Sequence, residues 1–108
     1  MKKMVLILLL ACVIAQPVSA ADNGFCEMMV PAAEYAMMMR QMNAPISVTV
    51  QAMRDVTVGF EALFKPMKEM VEYAYQEPVR STKAGRLQAV QIFKQQNAEW
   101  CKQVAGSN

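Results

Sequence analysis

Apolar residues recur at three- and four-residue spacing along most of the chain, and this periodicity predicts helices. The clearest stripe runs through the last segment, Ser81 to Val104, which we expect to form one long amphipathic helix. Similar stripes predict helices over Cys26–Met42, where Tyr35 belongs to one stripe, and over Phe60–Tyr75, whose stripe includes Met67 and Met70. The predicted buried face of the last helix, with Ile92 and Trp100 beside it, consists of Leu87, Val90, Phe93, Asn97, Cys101 and Val104.

Turn-forming residues separate these stripes. Asn43 tolerates the left-handed backbone conformation that commonly follows a helix. Gly59 and Pro78 interrupt the apolar pattern further along the chain. Ser81 and Thr82 are both suitable N-caps for the last helix.

Residues 46–58, which follow Pro45, permit two interpretations. Apolar β-branched residues alternate with polar ones from Ile46 to Val50, as in a strand, whereas Ser47 is a good N-cap and the residues after it favour a helix. A lone strand would leave its backbone hydrogen bonds unpaired. We therefore predict a short helix here.

Two prolines lie within the predicted helices. Pro31 either starts the regular part of the first helix or kinks it. Pro66 either kinks the third helix or divides it into a short turn and a new helix. We expect an all-α chain that forms a small bundle of about three to five helices.

The first 20 residues have the features of a secretory signal peptide. Two lysines precede an apolar run from Met4 to Ile14, and small residues end the segment at Ala20. The apolar run is shorter than the about 20 residues that span a bilayer. We predict residues 1–20 to be removed, residues 21–108 to form a single helical domain, and the product to be periplasmic or secreted.

A second interpretation of the leader involves Cys12. Leu9-Leu10-Ala11-Cys12 resembles a lipobox, which would make Cys12 the lipid-anchored N-terminus of a membrane-tethered protein. Leu10 occupies a position that usually takes a smaller residue, and apolar residues follow Cys12 where lipoproteins usually have a polar tether. Soluble export is the favoured interpretation and the lipoprotein is the alternative.

Charge is nearly balanced but unevenly placed. The chain holds 11 Lys and Arg against 9 Asp and Glu, and the excess lies in the leader. The remainder therefore has no long-range attraction for nucleic acid or anionic lipid. Asp22–Glu77 carries a net charge of −4 and Arg80–Lys102 a net charge of +4. The last helix either lies against acidic neighbours within the fold or presents a basic face to an acidic partner.

Cys26 and Cys101 are the cysteines outside the leader. A domain this small buries only about 60–65% of its unfolded surface, so a covalent link would help to stabilise it. Export to an oxidising compartment permits such a link. We expect a disulfide between Cys26 and Cys101, and the alternative is two free buried thiols.

No catalytic arrangement stands out in the sequence. The chain has no histidine and only four scattered glycines. This composition excludes Ser-His-Asp and Cys-His nucleophiles, His-based zinc sites and Gly-rich phosphate loops. Glu69 and Glu72 form a carboxylate pair one helical turn apart, and such pairs are ordinarily solvated. We predict a protein that has no enzymatic activity and no cofactor.

Methionine is the compositional anomaly, with 11 in the chain. Thioether sulfurs are soft ligands suited to Cu(I), and the pairs Met38/Met42 and Met67/Met70 have same-face helical spacing. The other interpretation is that methionines fill an irregular core and form an adaptable contact surface. Consecutive helical residues point about 100° apart, so at least one of the methionines at 37–39 should be exposed.

Several short segments resemble a family of small exported proteins that occur in bacteria and in phage or prophage genomes. Its members carry a signal peptide, an Arg-Gln-x-x-x-(Pro)-(Ile/Leu)-Ser segment, an Ala-Tyr-x-x-Pro segment and a cysteine near each end of the mature chain. The residues that carry the resemblance are Cys26, Arg40-Gln41, Pro45-Ile46-Ser47, Ala74-Tyr75-Gln76-Glu77-Pro78, Ser81-Thr82, Phe93 and Cys101.

The resemblance implies topology rather than activity. It supports the two-cysteine bridge and a helix from Ser47 onward. This chain has Asn43 where Gly is common in the family, and Asn suits the same backbone conformation. It also has a longer segment containing Pro66, which leaves the boundaries of the third helix open.

We predict a small exported non-enzymatic binding protein that acts on another protein of the cell envelope, through inhibition, immunity to a toxin or phage exclusion. The alternatives are a Cu(I) or apolar-ligand carrier built on the methionines, and a holdase-type chaperone with a large exposed apolar patch. Tyr75 and Pro78 also fit a purely structural role, in which the tyrosine packs under the turn that follows. The candidate partner surface consists of Met37, Met38, Met39, Arg40, Gln41, Tyr75, Pro78 and Arg80.

Overall fold

The computed structural model describes residues 24–106, and it describes the side chains of residues 24–103. The predicted signal peptide, Cys12 and the side chain of Val104 lie outside these residues. Within the described part no helix has both the length and the apolar composition that crossing a bilayer requires. Residues 24–106 contain no strand and form four helices: α1 (24–41), α2 (Ile46–Val56), α3 (Glu61–Gln76) and α4 (Lys83–Gly106). The predicted all-α fold is confirmed, as is the predicted helix in residues 46–58.

α1 ends in a left-handed turn at Asn43, whose φ is 61°. The amide of Asn43 donates to the carbonyl of Arg40 at 2.9 Å, and the amide of Ala44 donates to the carbonyl of Met39 at 3.0 Å. These two bonds form a Schellman motif, which satisfies carbonyls at the end of a helix. The predicted role of Asn43 is confirmed. Pro31 does not start α1, because helical residues precede it from residue 24 onward.

The start of α2 differs from the prediction. Pro45 occupies the N-cap position with a φ of −61° and a ψ of 142°, and its carbonyl accepts a hydrogen bond from the Val48 amide at 3.1 Å. Proline suits this position because its ring fixes φ and the missing N–H has no helical partner to lose. Ser47 lies inside the helix, so its prediction as the N-cap was wrong. After α2, Gly59 turns the chain with a φ of 87°, which its missing Cβ allows.

α3 continues through Pro66 as one helix. Pro66 has no N–H, so the carbonyl of Ala62 loses its helical hydrogen bond. Ala62 is exposed, which allows water to take the place of that bond. Pro78 disfavours the helical conformation for the residue before it, and Glu77 accordingly ends α3 in an extended conformation.

α4 begins after Thr82, whose hydroxyl accepts a hydrogen bond from the Gly85 amide at 3.0 Å. This bond satisfies one of the amides that the first turn of a helix leaves unpaired. Of the two predicted caps, Ser81 and Thr82, the structure uses Thr82. A Cβ at position 85 would lie 3.0 Å from the Thr82 hydroxyl oxygen and 3.2 Å from Cβ of Arg80. The missing side chain of Gly85 therefore allows the cap to close.

α1 and α4 lie antiparallel. Cys26, near the start of the described part of α1, is bonded to Cys101, which lies towards the end of α4. Further along α1, Oε1 of Glu34 lies 3.8 Å from Nζ of Lys94, which comes earlier in α4. The predicted disulfide is confirmed. The Glu34–Lys94 contact pairs the basic last helix with an acidic neighbour, although a partly exposed pair of this kind contributes little stability.

α2 and α3 pack against each other as an antiparallel hairpin. Close to the turn between them, the Arg54 guanidinium lies 4.2 Å from the centre of the Phe64 ring, which is a cation–π contact. At the other end of the hairpin the hydroxyl oxygens of Thr49 and Tyr75 lie 2.8 Å apart. The hairpin is therefore held at both of its ends.

The hydrophobic core joins residues of all four helices. Its buried side chains in the described part of the chain are Met29, Ala33, Ala36, Met37, Met53, Met67, Met70, Val71, Ala74, Ala89, Val90 and Phe93. Five of these are methionines, whose unbranched side chains fill irregular spaces. The consecutive methionines divide as predicted, because Met37 is buried and Met38 is 45% exposed.

Several residues of the predicted apolar stripes are exposed instead of buried, among them Tyr35, Phe60 and Leu87. Residues two positions apart in a helix point about 200° apart. Met37 and Ala89 are buried, so Tyr35 and Leu87, each two positions earlier in its helix, point outward. Phe60 precedes the first residue of α3 and lies outside the helical face that its spacing predicted.

Replacement of both cysteines, as Cys26→Ser with Cys101→Ser, should lower the free energy of unfolding by about 4 kcal/mol, because the bond joins residues 75 positions apart. Urea unfolding of the purified protein measures this loss, and reduction of the unmodified protein should shift the midpoint similarly. An unchanged midpoint after reduction would contradict the bridge. So would alkylation of the native protein without a reductant.

Candidate functional site

A buried glutamine joins the end of α1 to the segment between α3 and α4. Gln41 is 5% exposed. Its Nε2 donates to the carbonyl of Pro78 at 3.1 Å, and its Oε1 accepts a hydrogen bond from the amide of Arg80 at 2.9 Å. One amide side chain thus pairs with a backbone acceptor and a backbone donor of the same segment. We call the contacts of Gln41 with residues 78–80 the Gln41 clasp.

Two further side chains hold the same region. Nε of Arg40 donates to the carbonyl of Glu77 at 2.7 Å, and its guanidinium lies 5.5 Å from the centre of the Tyr75 ring. The Tyr75 hydroxyl donates to the carbonyl of Ala44 at 2.9 Å and also contacts the hydroxyl of the buried Thr49. Tyr75 therefore ties the end of α3 to the turn before α2.

The structure brings part of the candidate partner surface together, but mainly to hold the fold. Tyr75 and the backbone of Pro78 take part in internal hydrogen bonds, as their structural interpretation predicted. Met37 and Gln41 are 1% and 5% exposed, so including these two in an exposed surface was wrong. Met37 lies in the core, and the amide of Gln41 is occupied by the clasp.

The remaining members of that surface differ in exposure. Met38 and Arg80 are exposed, whereas Met39 and Arg40 are partly buried. The Arg80 guanidinium lies 3.2 Å from the carboxylate of Glu77, within its own segment. Whether Met38 and Arg80 meet a partner stays a prediction.

The two same-face methionine pairs have different surroundings. Met67 and Met70 lie in the core, whereas Met38 and Met42 are 45% and 72% exposed. Among residues 24–106 no group of three or more His, Cys, Asp or Glu side chains is arranged to hold a metal ion. Cu(I) binding by thioethers stays a prediction, and Met38/Met42 is the pair that solvent reaches.

The sequence did not predict an open groove between α3 and α4, which has a volume of about 450 Å³. Met29 of α1 lies at its base. The wall from α3 and its C-terminal cap consists of Pro66, Glu69, Met70, Tyr73, Gln76 and Glu77. The wall from α4 consists of Phe93, Gln96, Asn97 and Trp100.

The groove is apolar at its base and aromatic at its edges. Met29, Met70 and Phe93 are buried, and they supply two thioethers and a ring. Tyr73 is 66% exposed and Trp100 is 47% exposed, on opposite walls. An apolar group that entered the groove would therefore contact two aromatic side chains as well as the buried base.

The charge along the groove is negative. Its lining includes the carboxylates of Glu69 and Glu77 and contains no Lys or Arg. Glu77 forms an exposed ion pair with Arg80. Within the described part of the chain, no basic side chain lies within ion-pair distance of Glu69. Glu69 is therefore available to a cationic group of a ligand.

Helical periodicity indicates that a face is apolar, but it does not indicate whether another element covers that face. Trp100 was expected beside the buried face of α4, and Met70 was expected in the stripe of α3. The available signal was polar residues within those stripes, namely Asn97 on the apolar face of α4 and Glu69 next to Met70. Both of these polar residues line the groove.

Comparisons of the chain with family models, with characterised proteins and with solved structures find no match. The resemblance to exported bacterial and phage proteins therefore stays a prediction. The residues that carry it nevertheless have defined positions, because Arg40, Gln41 and Tyr75 hold the helix ends together. The functional interpretation depends on the groove and on the scaffold around it.

The substitution Gln41→Ala should lower the free energy of unfolding by about 1–3 kcal/mol, because it leaves backbone groups of Pro78 and Arg80 without partners. Gln51→Ala is the matched control. Gln51 is exposed and bonds Asp55 on the surface of α2, so its loss should change stability by less than about 0.5 kcal/mol. Urea unfolding with the disulfide intact measures both values. Equal losses in the two variants would contradict a stabilising role for the clasp.

Proposed function

We propose that this protein is a small exported binding protein that acts without catalysis on another protein of the cell envelope. The observation that carries the proposal is the open apolar groove between α3 and α4, with half-exposed aromatic side chains at both edges. Inhibition of the partner, immunity to an envelope toxin and phage exclusion are all activities of this type, because each requires only that a partner be bound and blocked.

The composition of the groove suits contact with a protein. Trp and Tyr are enriched among the residues that dominate binding energy at interfaces, and Trp100 and Tyr73 occupy opposite edges here. Methionine side chains adapt to the shape of a partner, and Met29 and Met70 lie at the base. Polar groups of Gln76 and Gln96 line the rim and offer hydrogen bonds.

The scaffold holds the groove in shape before a partner binds. The Cys26–Cys101 bond fixes one end of the α1–α4 pair, and the Gln41 clasp fixes α1 near its other end. A surface that is already ordered loses less conformational freedom on binding, which leaves more of the contact energy for affinity. This supports a protein that blocks its target as a rigid body.

The proposed location follows from the predicted leader and the disulfide. Stable disulfides form in exported proteins, and the predicted signal peptide directs the chain to such a compartment. The partner is then expected in the same envelope. Anchoring through Cys12, the alternative for the leader, would place the same groove at a membrane surface.

The direct test captures the partner with the exported protein, purifies that partner and titrates it against defined variants. Trp100→Ala should weaken binding by about tenfold or more, because it removes a large aromatic contact from the groove edge. Leu87→Ala is the matched control, since Leu87 is an exposed apolar residue of α4 outside the groove. Its effect should stay within about twofold.

Each variant is first shown to unfold at a urea concentration close to that of the unmodified protein. Failure to recover any partner that binds saturably would contradict the proposal. Equal weakening by Trp100→Ala and Leu87→Ala would contradict the use of the groove.

A second candidate is a carrier of an apolar small molecule, which the size of the groove favours. Its volume of about 450 Å³ lies within the range of small-molecule sites. A carrier should retain its ligand when the exported protein is examined by native mass spectrometry, and an apolar fluorescent probe should compete with that ligand. A protein recovered without ligand that also binds no probe at micromolar concentration would contradict this function.

A further inference from the structure

We infer that the groove between α3 and α4 receives a short amphipathic α-helix of the partner protein, apolar on one face and flanked by Lys or Arg side chains. The inference rests on the proposed function, because it names the part of the partner that binds. The spacing of the groove walls, their length and their charge each support it.

Each wall of the groove is one stripe of a helix. The spacing i, i+3, i+4, i+7 describes the α4 wall: Phe93, Gln96, Asn97 and Trp100. The same spacing describes most of the α3 wall: Pro66, Glu69, Met70 and Tyr73. Residues at these intervals lie on one face of a helix. Two such faces on either side of an open space form a groove of the kind in which a further helix packs in a helical bundle.

The walls also set the length of the occupant. At about 1.5 Å per residue, the distance along the helix axis from Pro66 to Tyr73 is about 10 Å, and from Phe93 to Trp100 it is also about 10 Å. This length corresponds to about two turns of a bound helix. Apolar side chains at i, i+4 and i+7 of that helix would reach the base around Met29.

The charge of the groove lining favours basic residues on either side of the apolar face of the bound helix. Glu69 supplies negative charge that no basic side chain of the described residues balances, whereas the charge of Glu77 is offset by its ion pair with Arg80. The faces of Trp100 and Tyr73 also attract cations, because an aromatic ring carries negative charge on its face. A helix flanked by Lys or Arg therefore gains two kinds of contact, whereas a helix flanked by Glu would be repelled.

Trp100 allows the inference to be tested directly, because it is the single tryptophan of the chain and lines the groove. The probes are three synthetic helical peptides of equal length that contain no tryptophan. One has an apolar face flanked by Lys, one has the same face flanked by Glu, and one has the Lys composition with the apolar face scrambled. Each peptide is titrated into the exported protein while the Trp100 emission is recorded.

The Lys-flanked peptide should shift the Trp100 emission to shorter wavelength and should saturate. Its affinity should exceed that of the Glu-flanked peptide by about tenfold, and the scrambled peptide should not saturate. Glu69→Lys should weaken binding of the Lys-flanked peptide by about three- to tenfold. It should also reduce the difference in affinity between the Lys-flanked and the Glu-flanked peptide. Glu72→Lys is the matched control, because Glu72 is an exposed glutamate of α3 outside the groove, and its effect should stay within about twofold.

Three results would overturn the inference: no saturable shift with any peptide, equal affinities for the two flanks, or equal effects of Glu69→Lys and Glu72→Lys. A dimer in analytical ultracentrifugation that the Lys-flanked peptide does not dissociate would also overturn it, since a second copy would then cover the groove. In a further outcome, a purified envelope partner binds wild type and Glu69→Lys equally and resists displacement by the Lys-flanked peptide. That result would contradict this inference alone, and the proposed function would still hold.

Discussion

The bond between Cys26 and Cys101 is the constraint on which the other contacts depend. It joins the beginning of α1 to the last turns of α4, at opposite ends of the described chain, and so closes a domain whose core is mostly methionine and alanine. Alanine buries little surface and methionine specifies shape weakly, so these side chains alone position helices less firmly than branched ones would. With the start of α1 bonded to α4 and its end held by the Gln41 clasp, the helix cannot shift freely. Both contacts limit the movement of α1, whose Met29 lines the open groove between α3 and α4.

The parts of the fold that depend on local sequence were predictable. Apolar periodicity located α1, α3 and α4, and Asn43 and Gly59 ended elements where their backbone conformations allowed. The parts that depend on distant contacts were not. Gln41 looks like an ordinary polar residue in the last turn of a helix, and nothing near it in sequence shows that its amide pairs with a segment 37 to 39 residues away. The start of α2 was misplaced for a local reason, since Ser47 and Pro45 both suit a helix start and only the structure shows that proline takes the cap.

The groove was not predicted because an apolar stripe looks the same in sequence whether another helix covers it or it faces an open space. Phe93 and Met70 were expected to be buried, and they are, but part of what lies above them is open to a ligand. The distinction depends on how far apart α3 and α4 lie, and no local sequence pattern specifies that distance. Polar residues inside an apolar stripe, such as Asn97, are the one local indication that a face is only partly covered.

Most of the exposed side chains that line the groove are not those that hold the helix ends together. Arg40, Gln41 and Tyr75, which carry much of the resemblance to a family of exported proteins, bond backbone groups at the helix ends and so specify the architecture. Glu69, Tyr73, Gln96 and Trp100 lie outside the resembling segments, are exposed, and line the groove. Substitutions at these exposed positions would change the surface of the groove at little cost to the fold. The exposed side chains of the groove can therefore vary while the contacts that hold the helix ends, and with them the topology, stay the same.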